Sequence, residues 1–143
     1  MEYILVFIDG TICDTRHRNN IQVKKDFFSE KNIIDDIPTK GSIETLKRLS
    51  VKYGIIYIGA RDEKYREATQ KWLKKNNFPD GEIYLGSSVE ERLEIVKKLK
   101  ENLIFTAGIG DRWDDNLLHL EIGCKSFILE EYNPDWSVVE KYI

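Results

Sequence analysis

Three short stretches hold the residues whose types and spacing suit polar chemistry: Asp9-Gly10-Thr11, Gly59-Ala60-Arg61-Asp62 and Gly110-Asp111-Arg112-Trp113-Asp114-Asp115. Carboxylates beside small residues are what a magnesium-assisted phosphoryl-transfer site needs. Mg2+ prefers near-octahedral oxygen ligands and usually takes one or two carboxylates plus substrate phosphate. The phosphate needs backbone N–H groups and a cation, because its charge spreads over several oxygens in the transition state. Asp9, Asp111 and Asp115 are therefore candidate metal ligands, and Gly10, Thr11 and Arg61 candidate phosphate contacts. A single Asp after a strand is ordinarily a turn residue or a helix cap. Three such groups, each at a predicted strand end, shift the balance toward a site.

The elements that must position them follow from hydrophobic period. Tyr3-Ile4-Leu5-Val6-Phe7-Ile8 is a continuous apolar run suited to a strand buried on both faces. Ile55–Ile58, Ile83–Leu85, Leu103–Thr106 and Phe127–Leu129 have the same character. Helical stripes alternate with them: Ile43, Leu46 and Leu49; Tyr65, Ala68, Thr69, Trp72 and Leu73; Val89, Leu93, Val96 and Leu99; Trp113, Leu117 and Leu120. Ser88 with Glu91 reads as a capping box, Gly54 and Gly123 as helix stops, and Asn133-Pro134 as the opening of a last short helix. This alternation predicts an α/β three-layer domain with a parallel five-stranded sheet. Ligands of such sheets bind beyond the carboxyl ends of the strands. Residues 14–40 interrupt the alternation; they are polar, contain Phe27-Phe28, and are expected to form a helix plus loop beside the site.

The 143 residues suit one domain, and 41% hydrophobic with 33% charged residues argues against disorder, a membrane span or a fibre. Lys plus Arg number 22 against 25 for Asp plus Glu, a net charge of −3, so nucleic acid is not a favoured partner. Cys13 and Cys124 make no disulfide framework, and no signal peptide is evident, so a reduced, cytoplasmic protein without membrane partners is expected.

The quoted strand-end motifs resemble those of the haloacid dehalogenase superfamily of phosphohydrolases, over nearly the whole chain. Asp14-Thr15-Arg16-His17-Arg18 and Tyr65–Leu73 look most like its small-cap nucleotide and polynucleotide phosphatases. The resemblance implies a Rossmann-like domain over residues 1–143 with 14–40 as a small cap-like insertion, Mg2+, and an aspartyl-phosphate mechanism on a phosphorylated small molecule or nucleotide. By that carry-over Asp9 holds the acid/base position, and Asp111 and Asp115 form an intact fourth motif. Arg61 matches the Arg that follows the second motif.

Two departures decide the expected function. Phe7 stands where the nucleophilic Asp belongs, and Gly59 stands where the second motif has Thr or Ser among its phosphate contacts. A one-residue deletion in the strand describes the first equally well, and neither description supplies a nucleophile. A phenyl ring cannot attack phosphorus or bind Mg2+. The third-motif cation has only Arg92, Lys97 and Lys98 as candidates. The resulting expectation is a phosphatase-like pseudoenzyme with residual Mg2+ and phosphate-ligand binding. Its rivals are an active phosphatase with a non-standard nucleophile and a pure interaction module. Other residues read more simply: His119 as packed, Cys13 as a small packing residue, Cys124 as buried and inert, Trp72 and Trp113 as core, Trp136 as the anchor of the last helix. Arg16, His17 and Arg18 read equally as ligand contacts or as a solvated loop. Gly108-Ile109-Gly110 lacks the third glycine of a dinucleotide fingerprint.

Overall fold

The computed structural model describes residues 1–20 and 29–143. In chain order the elements are β1 (Glu2–Phe7), β2 (Cys13–Asp14), a 3-10 turn (Arg16–Asn20), α1 (Glu30–Ile34), β3 (Ile37–Pro38), α2 (Ser42–Leu49), β4 (Gly54–Gly59), a second 3-10 turn (Glu63–Tyr65) and α3 (Arg66–Lys75). Then follow β5 (Gly81–Leu85), α4 (Val89–Leu99), β6 (Ile104–Gly110), α5 (Trp113–Ile122), β7 (Lys125–Ile128) and α6 (Trp136–Tyr142). The five long strands form one sheet in the order β5-β4-β1-β6-β7, each neighbouring pair parallel.

The sequence of β1 explains its central place. Side chains alternate across a strand, and both faces of this one are covered. Ile4, Val6 and Ile8 pack with Leu46, Leu49, Trp72, Leu73, Trp136 and Val139, drawn from α2, α3 and α6. Leu5 and Phe7 pack on the other face with Ile56, Ile58, Val96 and Leu118, reaching α4 and α5. Each such side chain, fully buried, contributes about 1.5–3 kcal/mol, so two filled layers hold the strand ends in fixed relative positions.

The insertion is tied down beside those ends. β2 and β3 form a short antiparallel ribbon, and the Trp72 Nε1–H of α3 donates to the Asp36 carbonyl at 2.9 Å. Lys71 pairs with Glu30 at 3.0 Å across α3 and α1. Phe27-Phe28, read as part of the insertion, lie outside the described residues. Among the described residues, no helix is long and apolar enough to cross a membrane.

Four local expectations are corrected. Trp113 is 73% exposed: the stripe on α5 has the right period, but it faces outward and Leu118 is the side chain that enters the core. Gly54 does not stop a helix; α2 ends at Leu49, and Gly54 opens β4 where a Cβ would lie 2.4 Å from the Tyr3 ring. Ser88 caps α4 as expected, accepting from the Glu91 N–H at 3.1 Å, but the Glu91 carboxylate accepts from Ser87, one residue earlier, at 3.0 Å. Cys124 is half-buried rather than buried.

Candidate functional site

At the end of β1 the chain folds back on itself: the Ile8 carbonyl accepts from the N–H groups of Thr11, Ile12 and Cys13 at 3.3, 3.1 and 3.2 Å. Asp9 sits at the head of this loop. Gly10 adopts φ +88°, and a Cβ there would fall 2.3 Å from Asp111 Oδ2, so only glycine lets the loop meet the end of β6. Thr11 completes that contact by donating its hydroxyl to Asp111 Oδ1 at 2.8 Å.

Arg61, at the end of β4, closes the third side. Its Nη2 and Nε donate to the two Asp9 oxygens at 2.7 and 3.1 Å, and its Nη1 donates to Thr69 Oγ1 at 2.7 Å. The side chain is fully buried. Burial favours the neutral carboxyl at Asp9, but the Arg61 charge and hydrogen bond outweigh it and hold the group below its usual range. Asp36 lies behind this pair, 3.7 Å from Arg61, bonded by buried Arg18 and by His17 at 2.6 Å. Of the Arg16-His17-Arg18 run, Arg18 therefore serves the interior, and Arg16 pairs with Asp14 in solvent. Asp9, Cys13 and Asp36 bring possible ligand atoms within 4.8 Å of one another, but guanidinium groups already neutralise the two carboxylates.

A cavity of about 220 Å3 opens beside Asp9, lined by Phe7, Thr15, Ala60, Arg92, Arg112, Asp114, Glu131 and Tyr132 as well. Phe7 is 3% exposed and shares this cavity with Asp9. The guanidinium of Arg92 lies over its ring, 5.7 Å from the centroid. Arg92 also donates to the Gly86 carbonyl at 2.8 Å and stands 3.6 Å from Asp114. Of the three candidates for a third-motif cation it alone lines the cavity; Lys97 pairs with Glu94 on the outside, and Lys98 borders a separate groove on α4.

Arg61, Gly59, Asp111 and Asp115 do not line the cavity. A Cβ on Gly59 would press on Ile8 and Leu85 at 3.1 and 3.2 Å, whereas Ala60 faces the opening. Asp115 Oδ2 accepts from the N–H groups of Asp111 and Arg112 at 3.0 and 3.1 Å, closing the capping box of α5 whose N-cap is Arg112. Burial pushes Asp115 up to about 6 against those two bonds. Asp111 is pushed up to about 7, by burial first and by the Asp115 and Glu131 charges, against its Thr11 hydrogen bond. Its Oδ2 is buried without a hydrogen-bond partner. Glu131 and Tyr132 escaped sequence reading, although Glu130-Glu131 follows a predicted strand as the other acids do.

Solved structures share this arrangement of sheet and helices. A haloacid dehalogenase-like hydrolase of Streptococcus pneumoniae superposes with a TM-score of 0.66 at 15% identity, over 99% of this chain and 91% of its own. This chain has the haloacid dehalogenase fold. A haloacid dehalogenase family enzyme of Bacteroides thetaiotaomicron, solved as an Asp-to-Ala mutant with magnesium and inorganic phosphate, matches at TM-score 0.61 and 14% identity, covering 97% and 99% of the two chains. A chain of the Pnkp1/Rnl/Hen1 RNA repair complex matches at TM-score 0.71 and 16% identity, with 91% of this chain covering 42% of that one. In sequence, a protein of Oceanobacillus iheyensis named as a putative nucleotidase is 32% identical over 81 residues, covering 54% of this chain and 43% of that protein. The chain thus spans less than half the length of these last two relatives. No family model matches it.

Proposed function

We propose that this haloacid dehalogenase-fold chain has left covalent phosphoryl transfer and binds a phosphorylated small molecule or nucleotide at the Phe7–Asp9 cavity. The observation that carries this reading is the pairing of two losses at one point. Phe7 stands in the cavity two residues before Asp9 and offers no nucleophile, and both Asp9 oxygens are engaged by Arg61. A carboxylate held this way is a poor proton donor, because the buried guanidinium stabilises its charged form. Arg92 and Arg112 supply the cationic wall that a phosphate requires, whereas the Gly10 and Thr11 N–H groups are spent on the Cys13 and Ile8 carbonyls and the Thr11 hydroxyl on Asp111.

Mg2+ fits beside this cavity rather than within its lining, through Asp111. Its Oδ2 is buried with no donor, and its pKa is raised by burial first and then by the neighbouring Asp115 and Glu131 charges. Asp111, with Glu131 beside it, would hold the ion, whose contribution when bound is countercharge for phosphate oxygens. Asp9 is committed to Arg61, and Asp115 spends Oδ2 on the helix end and keeps only a buried Oδ1 unpaired, so few fixed oxygens remain and the affinity is expected to be weak.

Three carboxylates in the cavity, Asp9, Asp114 and Glu131, support a second reading, in which one of them activates water for direct attack. Turnover of p-nitrophenyl phosphate with Mg2+ decides between the two. On the first reading, wild type is no faster than Asp111→Asn, and inorganic phosphate with Mg2+ gives a calorimetric binding signal that Asp111→Asn weakens. Clear turnover abolished by Asp111→Asn establishes the second.

A further inference from the structure

We infer that Tyr132 is a stacking platform in this cavity, and that the ligand is a phosphomonoester carrying a planar ring, of which a nucleoside monophosphate is the simplest example. The inference rests on the phosphate-binding reading above. Tyr132 has φ +64°, in the left-handed region that a bulky side chain occupies only when its surroundings enforce it. Here they do. Its N–H donates to the Gly10 carbonyl at 2.8 Å, its hydroxyl bonds Thr15 Oγ1 at 3.2 Å, and the Arg16 guanidinium lies 5.3 Å from the ring centroid. Arg16 is itself fixed, its Nε 3.0 Å from both Asp14 oxygens. Three separate contacts thus hold one ring at the wall of the cavity, one hydrogen bond away from the Asp9–Thr11 loop.

The rest of the lining points the same way. Arg16 covers part of the ring and does not line the cavity, whereas Tyr132 does. The same cavity is lined by Phe7, Arg92 and Arg112, with Ala60 as the one small aliphatic wall. Aromatic faces and guanidinium planes both stack on planar rings, and the guanidinium groups also attract phosphate. Arg92 already lies over the Phe7 ring, and a sugar or alkyl phosphate would leave the Tyr132 ring without a planar partner in the cavity. The cavity, at about 220 Å3, is below the roughly 300 Å3 at which sites enclosing a whole drug-sized ligand begin. It therefore takes the phosphate and part of one ring and leaves the remainder in solvent.

The test is calorimetric titration of the full chain, with Mg2+ present, by four probes: AMP, adenosine, ribose 5-phosphate and inorganic phosphate. AMP is expected to bind roughly tenfold or more tighter than ribose 5-phosphate, the range of one base stacking on one aromatic ring. Tyr132→Asn, whose side chain tolerates positive φ, should erase that gap and leave ribose 5-phosphate affinity within about twofold, while Tyr132→Phe keeps it. Circular dichroism of both variants guards against unfolding, and the wild-type gap is a test that needs no variant. Equal binding of AMP and ribose 5-phosphate overturns the platform while leaving the phosphate reading in place, as does a gap that survives Tyr132→Asn. Binding of adenosine without ribose 5-phosphate or inorganic phosphate refutes the phosphate reading and keeps the platform. Silence from all four probes refutes both.

Discussion

Replacing Arg61 by Met removes the cation between Asp9 and Asp36 while keeping most of the buried volume. The Arg61 side chain is fully buried, whereas the Asp9 side chain is 21% exposed. Breaking a buried pair by deleting one partner costs about 3–5 kcal/mol, because the other charge is left in a poor solvent. Partial hydration of Asp9 offsets some of that, so a loss of about 3 kcal/mol is expected, or a fall in Tm of roughly 10 °C for a chain of this size. Urea unfolding, followed through buried Trp72, reads it directly. The pH dependence carries a sign. The Asp9 pKa is depressed in the folded protein, so the stability it contributes is present above the unfolded value near 3.8 and is lost as pH falls through the folded value. The gap between wild type and Arg61→Met should therefore shrink on acidification below about pH 4. A variant as stable as wild type that loses only phosphate affinity would refute this reasoning and return Arg61 to the role of ligand contact.

Phe7→Asp places a carboxylate where a ring is 3% exposed and packed with Leu5, Ile56, Val96 and Leu118; a loss of about 3 kcal/mol is expected. Adding Gly59→Thr should not restore Mg2+-dependent turnover of p-nitrophenyl phosphate, since Asp9 stays bound to Arg61 and the new hydroxyl is hemmed by Ile8 and Leu85. Gly10→Ala, at φ +88° and against Asp111, should cost more than about 2 kcal/mol in chemical denaturation. His119 is 2% exposed and burial lowers its pKa to about 4. The unfolded chain takes up that proton first, so stability falls as pH drops from about 6.5 to 4, by at most about 3 kcal/mol. His119→Gln should flatten that part of a pH–stability curve.

Period and strand-end chemistry were legible without coordinates. Continuous apolar runs such as Tyr3–Ile8 announce strands covered on both faces, because half-covered strands alternate. The same logic places Asp9, Arg61 and Asp111 at carboxyl ends of neighbouring strands, where parallel sheets present their loops. The absence of a carboxylate at position 7 was equally plain. What a residue does once placed there was decided by the tertiary structure. Arg61 reads as a phosphate contact in the chain, but its guanidinium finds Asp9, 52 residues away, before any ligand. Asp115 looks like a metal ligand and spends one oxygen on the start of α5. The stripe from Trp113 to Leu120 has a helical period, which fixes that its members share a face and says nothing about which way that face turns. Glu131 and Tyr132 join the cavity only because β7 ends beside β6, and the Gly10 carbonyl fixes the strained turn there. Local sequence sets backbone preference and burial period over a few residues. The partner of a buried charge is set by distances between elements far apart in the chain, and those exist only once the sheet has assembled.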